Sequence, residues 1–178
     1  PAGHRIMHLG TSNLSSGIPL APVSYDDLVD WRSQSRSFSG LALVESTTFN
    51  LSDGVAAAEP VSGARLTADA FRTLRVAPSH GRDFQTGEDE PGAAPVVILG
   101  HGAWMRRYSG DPRVVGKSVR VNGTPASVIG IMPENMKFPM TADMWMPLVR
   151  TPDSLRRDAR RFEAFCAGLP NEAVRGRG

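Results

Sequence analysis

In the stretch Lys117-Ser-Val-Arg-Val-Asn-Gly-Thr-Pro-Ala-Ser-Val-Ile-Gly-Ile-Met132, two runs rich in β-branched residues flank Asn122-Gly123. A two-residue type I′ turn needs positive φ at both central positions, which Asn-Gly accepts at low cost. The stretch therefore predicts a β-hairpin of Lys117–Val121 and Thr124–Met132. The register that follows pairs Val121 with Thr124, Val119 with Ala126 and Lys117 with Val128.

Short elements continue on the N-terminal side of this hairpin. Val96–Leu99 is an uninterrupted apolar run of strand length, which predicts a strand buried on both faces, and a helix is expected over Gly102–Tyr108. Ser24 is expected to cap a helix that runs to about Arg36, and Thr67 one over Ala68–Leu74. The remaining predictions are strands at Arg5–Leu9, Leu41–Glu45, Thr48–Leu51, Glu59–Leu66 and Met144–Leu148, a loop at Thr11–Pro22 and an Arg-rich helix at Thr151–Phe165.

Composition agrees with an α+β fold of short, mixed strands and helices. The 178 residues are 40% hydrophobic and 21% charged, which is typical of a folded globular chain, and 18 Gly with 14 Pro argue against a helical bundle. No apolar run approaches the roughly 20 residues of a membrane span. The single Cys excludes an internal disulfide and a Cys-based zinc site. The chain begins with Pro1 rather than Met and has no signal pattern, so we expect a piece of a longer protein.

One loop resembles a phosphate-binding loop but does not match its pattern. Gly110-Asp-Pro-Arg-Val-Val-Gly116-Lys117-Ser118 has five residues between its glycines where the motif has four. A phosphate-binding loop also ends in a helix, whereas Lys117-Ser118 enters the predicted hairpin. We therefore expect no nucleotide site here.

Histidines and basic residues give no better candidate site. Gly100-His101-Gly102 follows a buried strand, as catalytic corners do, but it lacks the central Ser of a nucleophile elbow. His4 and His8 share a strand face, yet no third metal ligand is near in sequence. The Arg-rich run Leu155–Arg161 is the only candidate for nucleic acid, and a solvated helix face explains it better, so we expect no nucleic-acid partner. We expect no catalytic, metal or cofactor site.

Three consecutive acids, Glu88, Asp89 and Glu90, lie in the loop Gln85–Pro95, which we call the acidic loop. Paired carboxylates can serve acid–base catalysis, but adjacent acids in a loop with Gly and Pro are usually solvated. We therefore expect these three residues to contribute little to stability. Because a long loop can reach a second protein, they are the residues predicted to contact a partner.

An ordered series of runs resembles one known family. It is made of Pro22-Val-Ser-Tyr-Asp-Asp-Leu-Val-Asp-Trp-Arg32, Val61-Ser-Gly-Ala-Arg-Leu-Thr-Ala-Asp-Ala-Phe-Arg-Thr-Leu-Arg-Val76, Gly81-Arg-Asp-Phe84, Gly92-Ala-Ala-Pro-Val-Val-Ile-Leu99, Trp104-Met-Arg-Arg-Tyr108, Gly110-Asp-Pro-Arg-Val-Val-Gly116 and Val121-Asn-Gly-Thr-Pro-Ala-Ser-Val-Ile-Gly-Ile-Met-Pro133. Over residues 3–163 the chain resembles the MacB-like periplasmic core domain of FtsX-type ABC transporter permeases, and most of all the duplicated orphan permeases of acidobacteria.

The resemblance implies a non-catalytic domain on the periplasmic side of the bacterial inner membrane, inserted between the first two transmembrane helices of a permease. It implies a porter-like part, residues 1–66 and 149–165, and a distal inserted part, residues 67–148. The expected partners are the transmembrane helices of the same permease, a cytoplasmic ATPase that drives them, and a second periplasmic domain or adaptor. Such permeases resemble machines that transmit mechanical change.

The chain departs from the family pattern at two places. A capping residue such as Ser usually stands where this chain has Gly100. Residues 166–178 match neither the strand nor the amphipathic helix that the family has there, so we expect a disordered tail. Two other functions stay open. The first is a stand-alone periplasmic module that binds a small molecule or lipid in a deep apolar pocket. The second is a hydrolase built on His101 and the acidic loop.

Overall fold

The computed structural model describes residues 6–9, 11–13, 18–34, 38–54, 57–152 and 161–168. These residues form eleven strands and three α-helices. The strands are β1 (Ile6–Leu9), β2 (Thr11–Asn13), β3 (Ile18–Ala21), β4 (Phe38–Ser52), β5 (Glu59–Leu66), β6 (His80–Gly81), β7 (Val96–Leu99), β8 (Ser118–Val121), β9 (Thr124–Ile131), β10 (Met144–Pro147) and β11 (Glu163–Gly168). The helices are α1 (Tyr25–Gln34), α2 (Ala70–Leu74) and α3 (His101–Tyr108).

Nine of the strands form one mixed sheet. Its order is β1-β11-β4-β5-β10-β7-β9-β6, and β8 pairs with β9 and with the end of β4. The β5–β10 and β7–β9 pairs are parallel and the other pairs are antiparallel. Within the described part of the chain, β2 and β3 pair only with each other. Short strands in both directions, interleaved with helices, confirm the α+β class.

The hairpin forms as its sequence predicts. Asn122 and Gly123 have φ of 52° and 81°. Val121 lies opposite Thr124 and Val119 opposite Ala126. The amide of Val128 continues the register by donating to the carbonyl of Lys117 at 2.9 Å.

Both faces of the sheet are covered by apolar residues. β7 is fully buried, as predicted, because Val96 and Ile98 pack in the cluster around α2 while Val97 and Leu99 pack in the cluster around α3. A third cluster, which contains Leu28 of α1, lies over the β4–β11 region. Alternate residues of β4 divide in the same way, so the α1 and α3 clusters lie on one face and the α2 cluster on the other.

Two helix-capping residues were predicted, and one is correct. The amide of Asp27 donates to Ser24 Oγ at 3.2 Å and the amide of Ser24 donates to Asp27 Oδ2 at 2.8 Å, so α1 has a reciprocal cap. Thr67 does not cap α2. Its hydroxyl accepts the amide of Leu43 at 3.2 Å, and the helix begins later, after Asp69. Thr67 is buried against β4, where a strand amide needs an acceptor.

Three strand predictions are corrected. The predicted loop Thr11–Pro22 contains the β2–β3 pair. The two strands predicted at Leu41–Glu45 and Thr48–Leu51 are one continuous strand, β4. The polar residues between them do not turn, because Ser46 and Thr47 pair with Ala64 and Gly63 of β5. The edge strand β6, which is only two residues long, was not foreseen.

The C-terminal predictions also change. The helix predicted at Thr151–Phe165 is wrong at its end, since Glu163–Gly168 forms β11 between β4 and β1. β11 is therefore the last strand of the described residues. The tail predicted from residue 166 is wrong for its first three residues, because Cys166 and Ala167 are buried in this strand. Residues 153–160 and 169–178 lie outside the described residues.

Candidate functional site

Glu88 fixes the first part of the acidic loop, which is the segment predicted to contact a partner. The guanidinium of Arg82 donates to both oxygens of the Glu88 carboxylate, at 2.6 and 3.1 Å, and the amide of Gln85 donates to it at 2.8 Å. Burial alone would raise the pKa of Glu88, but the hydrogen bonds from Arg82 and Gln85 outweigh it, and the pKa is lowered. Only 17% of this side chain is exposed.

The next two acids bind two other segments. Asp89 Oδ2 accepts the amide of Ala68 at 3.4 Å, and the carbonyl of Asp89 accepts the amide of Arg150 at 3.1 Å. The carboxylate of Glu90 forms an ion pair with the guanidinium of Arg150. The loop therefore joins the residues that follow β5, β6 and β10.

These contacts correct the prediction that Glu88, Asp89 and Glu90 are solvated. Glu88 and Asp89 are only partly exposed, and Glu90 is the most exposed of the three. Arg82 and Arg150, which the sequence analysis did not single out, neutralise the loop. Arg82 stands six residues before Glu88, but Arg150 is 60 residues from Glu90 in the chain, and no local pattern indicates that pair.

The strand–turn–helix corner at His101 contains no hydrolase arrangement among the described residues. His101 is the first residue of α3, and its ring lies 5.6 Å from the Trp104 ring in an edge-to-face contact. The carboxylate at this corner belongs to Asp143, not to the acidic loop. Asp143 Oδ1 accepts the amide of Gly102 at 3.1 Å, and the Asp143 carbonyl accepts the amide of Gly100 at 2.7 Å.

Asp143 thus caps α3 from a distant segment, which explains why a residue without a side chain can stand at Gly100. A Cβ at Gly100 would collide with Asp143 Oδ1 and lie 2.8 Å from Asp143 Cα. A Cβ at Gly102 would lie 2.5 Å from Asp143 Oδ2. Arg106 donates to the same carboxylate at 3.1 Å, and Lys137 lies 3.7 Å from it, so the capping charge is balanced. The two glycines serve packing at a capped helix start.

The loop that resembles a phosphate-binding loop leads into strand β8, as predicted. Gly110 and Gly116 are turn residues with φ of 73° and 91°. The amide of Val115 donates to the Pro112 carbonyl at 3.2 Å at the end of the short 3-10 helix Pro112–Val114, and the amide of Lys117 donates to the Val114 carbonyl at 3.0 Å in the turn that follows. The loop is followed by strand β8, which begins at Ser118, and not by a helix whose N-terminus could hold a phosphate.

Histidines and other metal-ligating residues do not converge in the described part of the chain. His8 lies 3.2 Å from Glu163, whereas His4 is outside the described residues. The described residues contain no group of three or more His, Cys, Asp or Glu that could hold a metal ion.

The surface of the described residues includes two cavities that differ in size. One, of about 310 Å³, is lined by Glu45, Arg65, Leu148, Val149, Thr151 and Arg161. The other, of about 150 Å³, is lined by Asp53, Gly54, Ser118, Val119, Arg120 and Pro125. Both are open to solvent and have charged walls. Neither has the enclosed apolar form expected of a small-molecule or lipid module.

The family of the chain follows from comparison with known proteins. The MacB-like periplasmic core domain family matches residues 4–169, and the chain therefore belongs to this family. The chain is the periplasmic domain of an ABC transporter permease of the MacB and FtsX type. The members of this family are periplasmic domains of transporters. No curated protein matches the chain.

Solved structures share the fold. The periplasmic region of MacB from Actinobacillus actinomycetemcomitans has a TM-score of 0.65 at 15% identity, over 95% of this chain and 75% of that one. A domain of a putative permease protein from Porphyromonas gingivalis has a TM-score of 0.69 at 15% identity, over 96% and 77%. The extracellular domain of the noncanonic ABC-type transporter YknZ from Gram-positive bacteria has a TM-score of 0.61 at 11% identity, over 94% and 83%.

In the part of the chain that the structure describes, no helix is both long and apolar enough to cross a bilayer.

Proposed function

We propose that this domain transmits a conformational change, driven by a cytoplasmic ATPase, through the periplasmic side of a permease in the bacterial inner membrane. In this proposal the domain acts as a stiff body and holds no catalytic or nucleotide site. Its partners are the transmembrane helices of the same permease and, through them, the ATPase. A second periplasmic domain or an adaptor would meet its distal side.

The pairing of β1 with β11 carries this proposal. Ile6 lies opposite Ala167 and Leu9 opposite Ala164, so the two ends of the described chain are side by side at one edge of the sheet. A domain inserted between two membrane helices needs its entry and exit close together. From that edge the same sheet continues through β4, β5 and β10 to the hairpin. A displacement at the edge would therefore pass along a hydrogen-bonded path.

We also propose the division into a porter-like part, residues 1–66 and 149–165, and a distal part, residues 67–148. The α1 cluster supports it, because all its buried members except Leu148 and Cys166 come from the porter-like ranges. The two parts share one sheet through the parallel pair of β5 and β10. The division therefore concerns two ends of a continuous body and not two separate cores.

The predicted contact of Glu88, Asp89 and Glu90 with a partner is retained in a narrower form. Glu88 is 17% exposed and Glu90 is 49% exposed. A partner that approached this loop would meet Glu90 and its ion-paired Arg150 first. We propose Glu90 as the accessible member of that contact.

Spin-label distances in the full permease would test transmission. Val29 on α1 is 50% exposed and Thr124 in the hairpin is exposed, so nitroxides at Val29→Cys and Thr124→Cys report on the distance between the two parts. The buried Cys166 would be replaced by Ala. On addition of ATP and magnesium, the distance from Thr124 to a label in the membrane region should change. The Val29–Thr124 distance should stay the same.

A catalytically inactive ATPase subunit is the control, and it should leave both distances unchanged. A fixed distance between Thr124 and the membrane region during ATP turnover would contradict transmission. Calorimetry of the isolated domain with ATP and magnesium tests the second part of the proposal. Micromolar binding of ATP by this chain would show that the domain does more than transmit.

A further inference from the structure

The acidic loop crosses the two places where the chain passes between the porter-like and distal parts. β5 and β10 are parallel neighbours, and their C-terminal ends lie together, since Leu66 pairs with Pro147 and the amide of Leu148 donates to the Leu66 carbonyl at 2.7 Å. The chain leaves the porter-like part directly after β5. It returns directly after β10.

Asp89 and Glu90 bind both of these exits. Ala68, two residues after β5, donates its amide to Asp89 Oδ2 at 3.4 Å. Arg150, three residues after β10, donates its amide to the Asp89 carbonyl at 3.1 Å and pairs its guanidinium with Glu90. One short segment thus connects two exits that are 82 residues apart in the chain, counted from Ala68 to Arg150.

The other end of the loop is fixed to the distal part. Arg82 directly follows β6 and donates two hydrogen bonds to Glu88. Because Glu88 is next to Asp89, a movement of the distal edge strand is passed to the two exits through one residue. The loop therefore has an anchor on the distal part and a contact on each exit.

The contacts at the exits are weak. The side chains of Glu90 and Arg150 are 49% and 34% exposed, and an ion pair of that exposure is modest and screened by salt. Arg150 Nε is buried and has no acceptor among the described residues, which costs free energy in the closed arrangement. Tyr25 of α1 lies in the electrostatic field of Arg150 and Asp89, and also in that of Arg32 and Asp69.

We propose that Asp89, Glu90 and Arg150 form a salt-sensitive clasp that stiffens the junction of the two parts. The closed clasp holds both exits against the anchored loop, so that a displacement of one part is passed to the other. The open clasp leaves the sheet intact and loosens the exits. The role of the clasp in transmission rests on the proposed function. Its opening, however, can be measured in the isolated domain.

Hydrogen exchange in the isolated domain tests the clasp. The amides of Ala68 and Arg150 both donate to Asp89, and the amide of Leu148, which donates to Leu66, serves as the internal reference. Glu90→Gln should speed exchange at Ala68 and Arg150 by about threefold to fivefold, the range that an exposed ion pair supplies. Leu148 should not change. The same acceleration should appear in the wild-type domain at 1 M salt.

Two further variants complete the exchange experiment. The charge swap Glu90→Arg with Arg150→Glu should restore at least part of the protection at Ala68. Glu134→Gln is the matched control, because Glu134 is an exposed acid in another loop. The clasp would be overturned if the wild type and Glu90→Gln exchanged these amides at the same rate at low salt and if high salt changed neither rate. An equal acceleration by Glu134→Gln would overturn it as well.

Spin labels separate the clasp from the proposed function. In the isolated domain, Glu90→Gln should broaden the Val29–Thr124 distance distribution, and an unchanged distribution would overturn the stiffening role. These results do not depend on the ATPase. A permease whose domain fails to move on ATP addition would overturn the proposed function, while the exchange and broadening results would still decide the clasp.

Discussion

The first turns of α1 and α3 lie on the same face of the sheet and are capped by different means. α1 begins at a reciprocal cap between Ser24 and Asp27, three residues apart. α3 begins directly after Gly100, which has no side chain, and receives the carboxylate of Asp143 from 41 residues beyond Gly102. A cap therefore has to be sought in the tertiary structure when the local residue cannot provide one. Glycine is then required because a side chain at its position would collide with the capping residue. The glycine itself does not act as the cap.

The largest expected effect is on the α3 side. Trp104→Ala should lower the free energy of unfolding by about 3–5 kcal/mol, because the side chain is 9% exposed and packs in the α3 cluster. The Asp111 carbonyl also loses the hydrogen bond that the indole Nε1 of Trp104 donates. Trp31→Ala, on the half-buried face of α1, is the control and should cost less. Urea denaturation measures both, and equal costs would contradict the difference between the two helices.

The next effect tests the distant cap directly. Gly100→Ala should destabilise by about 2–4 kcal/mol, since the added methyl group displaces Asp143 and removes the cap. Gly123→Ala is the control. It meets no atom within 4 Å, so it carries only the cost of its positive φ, about 1 kcal/mol.

A double-mutant cycle sharpens this test. Asp143→Gly should relieve the part of the collision that the Asp143 carboxylate causes, while the Asp143 Cα and carbonyl oxygen stay 2.8 Å from the new methyl group. The double variant should therefore be more stable than the sum of the single effects predicts. Additive effects in urea denaturation would show that the alanine acts through contacts other than the Asp143 carboxylate.

The local cap should have a smaller effect. Ser24→Ala should destabilise by about 1 kcal/mol, because the amide of Asp27 loses its acceptor at the start of α1. Ser33→Ala changes an exposed hydroxyl later in the same helix and should stay within about 0.5 kcal/mol of the wild type. A cost at Ser33 as large as that at Ser24 would contradict the capping role.

The smallest effect is at the anchor of the acidic loop and depends on pH. Glu88 has a lowered pKa in the folded domain, so its charge contributes stability above the ordinary pKa of 4.5, and this contribution is lost as the pH falls through the lowered value. Glu88→Gln should cost less than about 1 kcal/mol at neutral pH. The difference from the wild type should shrink below pH 4.5. A difference that stays constant down to pH 3 would contradict the ion pair with Arg82.

Several elements could be predicted because their signals are local. The hairpin follows from Asn122-Gly123, the burial of β7 from its uninterrupted apolar run, and the start of α1 from Ser24. The resemblance to the MacB-like family was carried by ordered runs, and the match to residues 4–169 confirms it. Each of these signals lies within a few residues of the structure it predicts.

The errors have one physical cause. Ser46 and Thr47 are polar residues that suggest a turn, but they extend β4 because β5 offers them partners. Thr67 looks like a helix cap, but its hydroxyl is used by the amide of Leu43. Cys166 and Ala167 have no clear strand pattern, yet they are held between β1 and β4. In each case a distant strand provided a hydrogen bond that the local sequence does not indicate.

By itself the sequence determined the α+β class, the hairpin, the buried strand, the first helix and the family. Only the tertiary structure decided that Asp143 caps α3 and that the acids of the loop bind Arg82 and Arg150. The reason is that turns, caps and apolar runs act over a few residues. Ion pairs and the pairing of strands instead depend on which distant segments the completed sheet brings within hydrogen-bond distance.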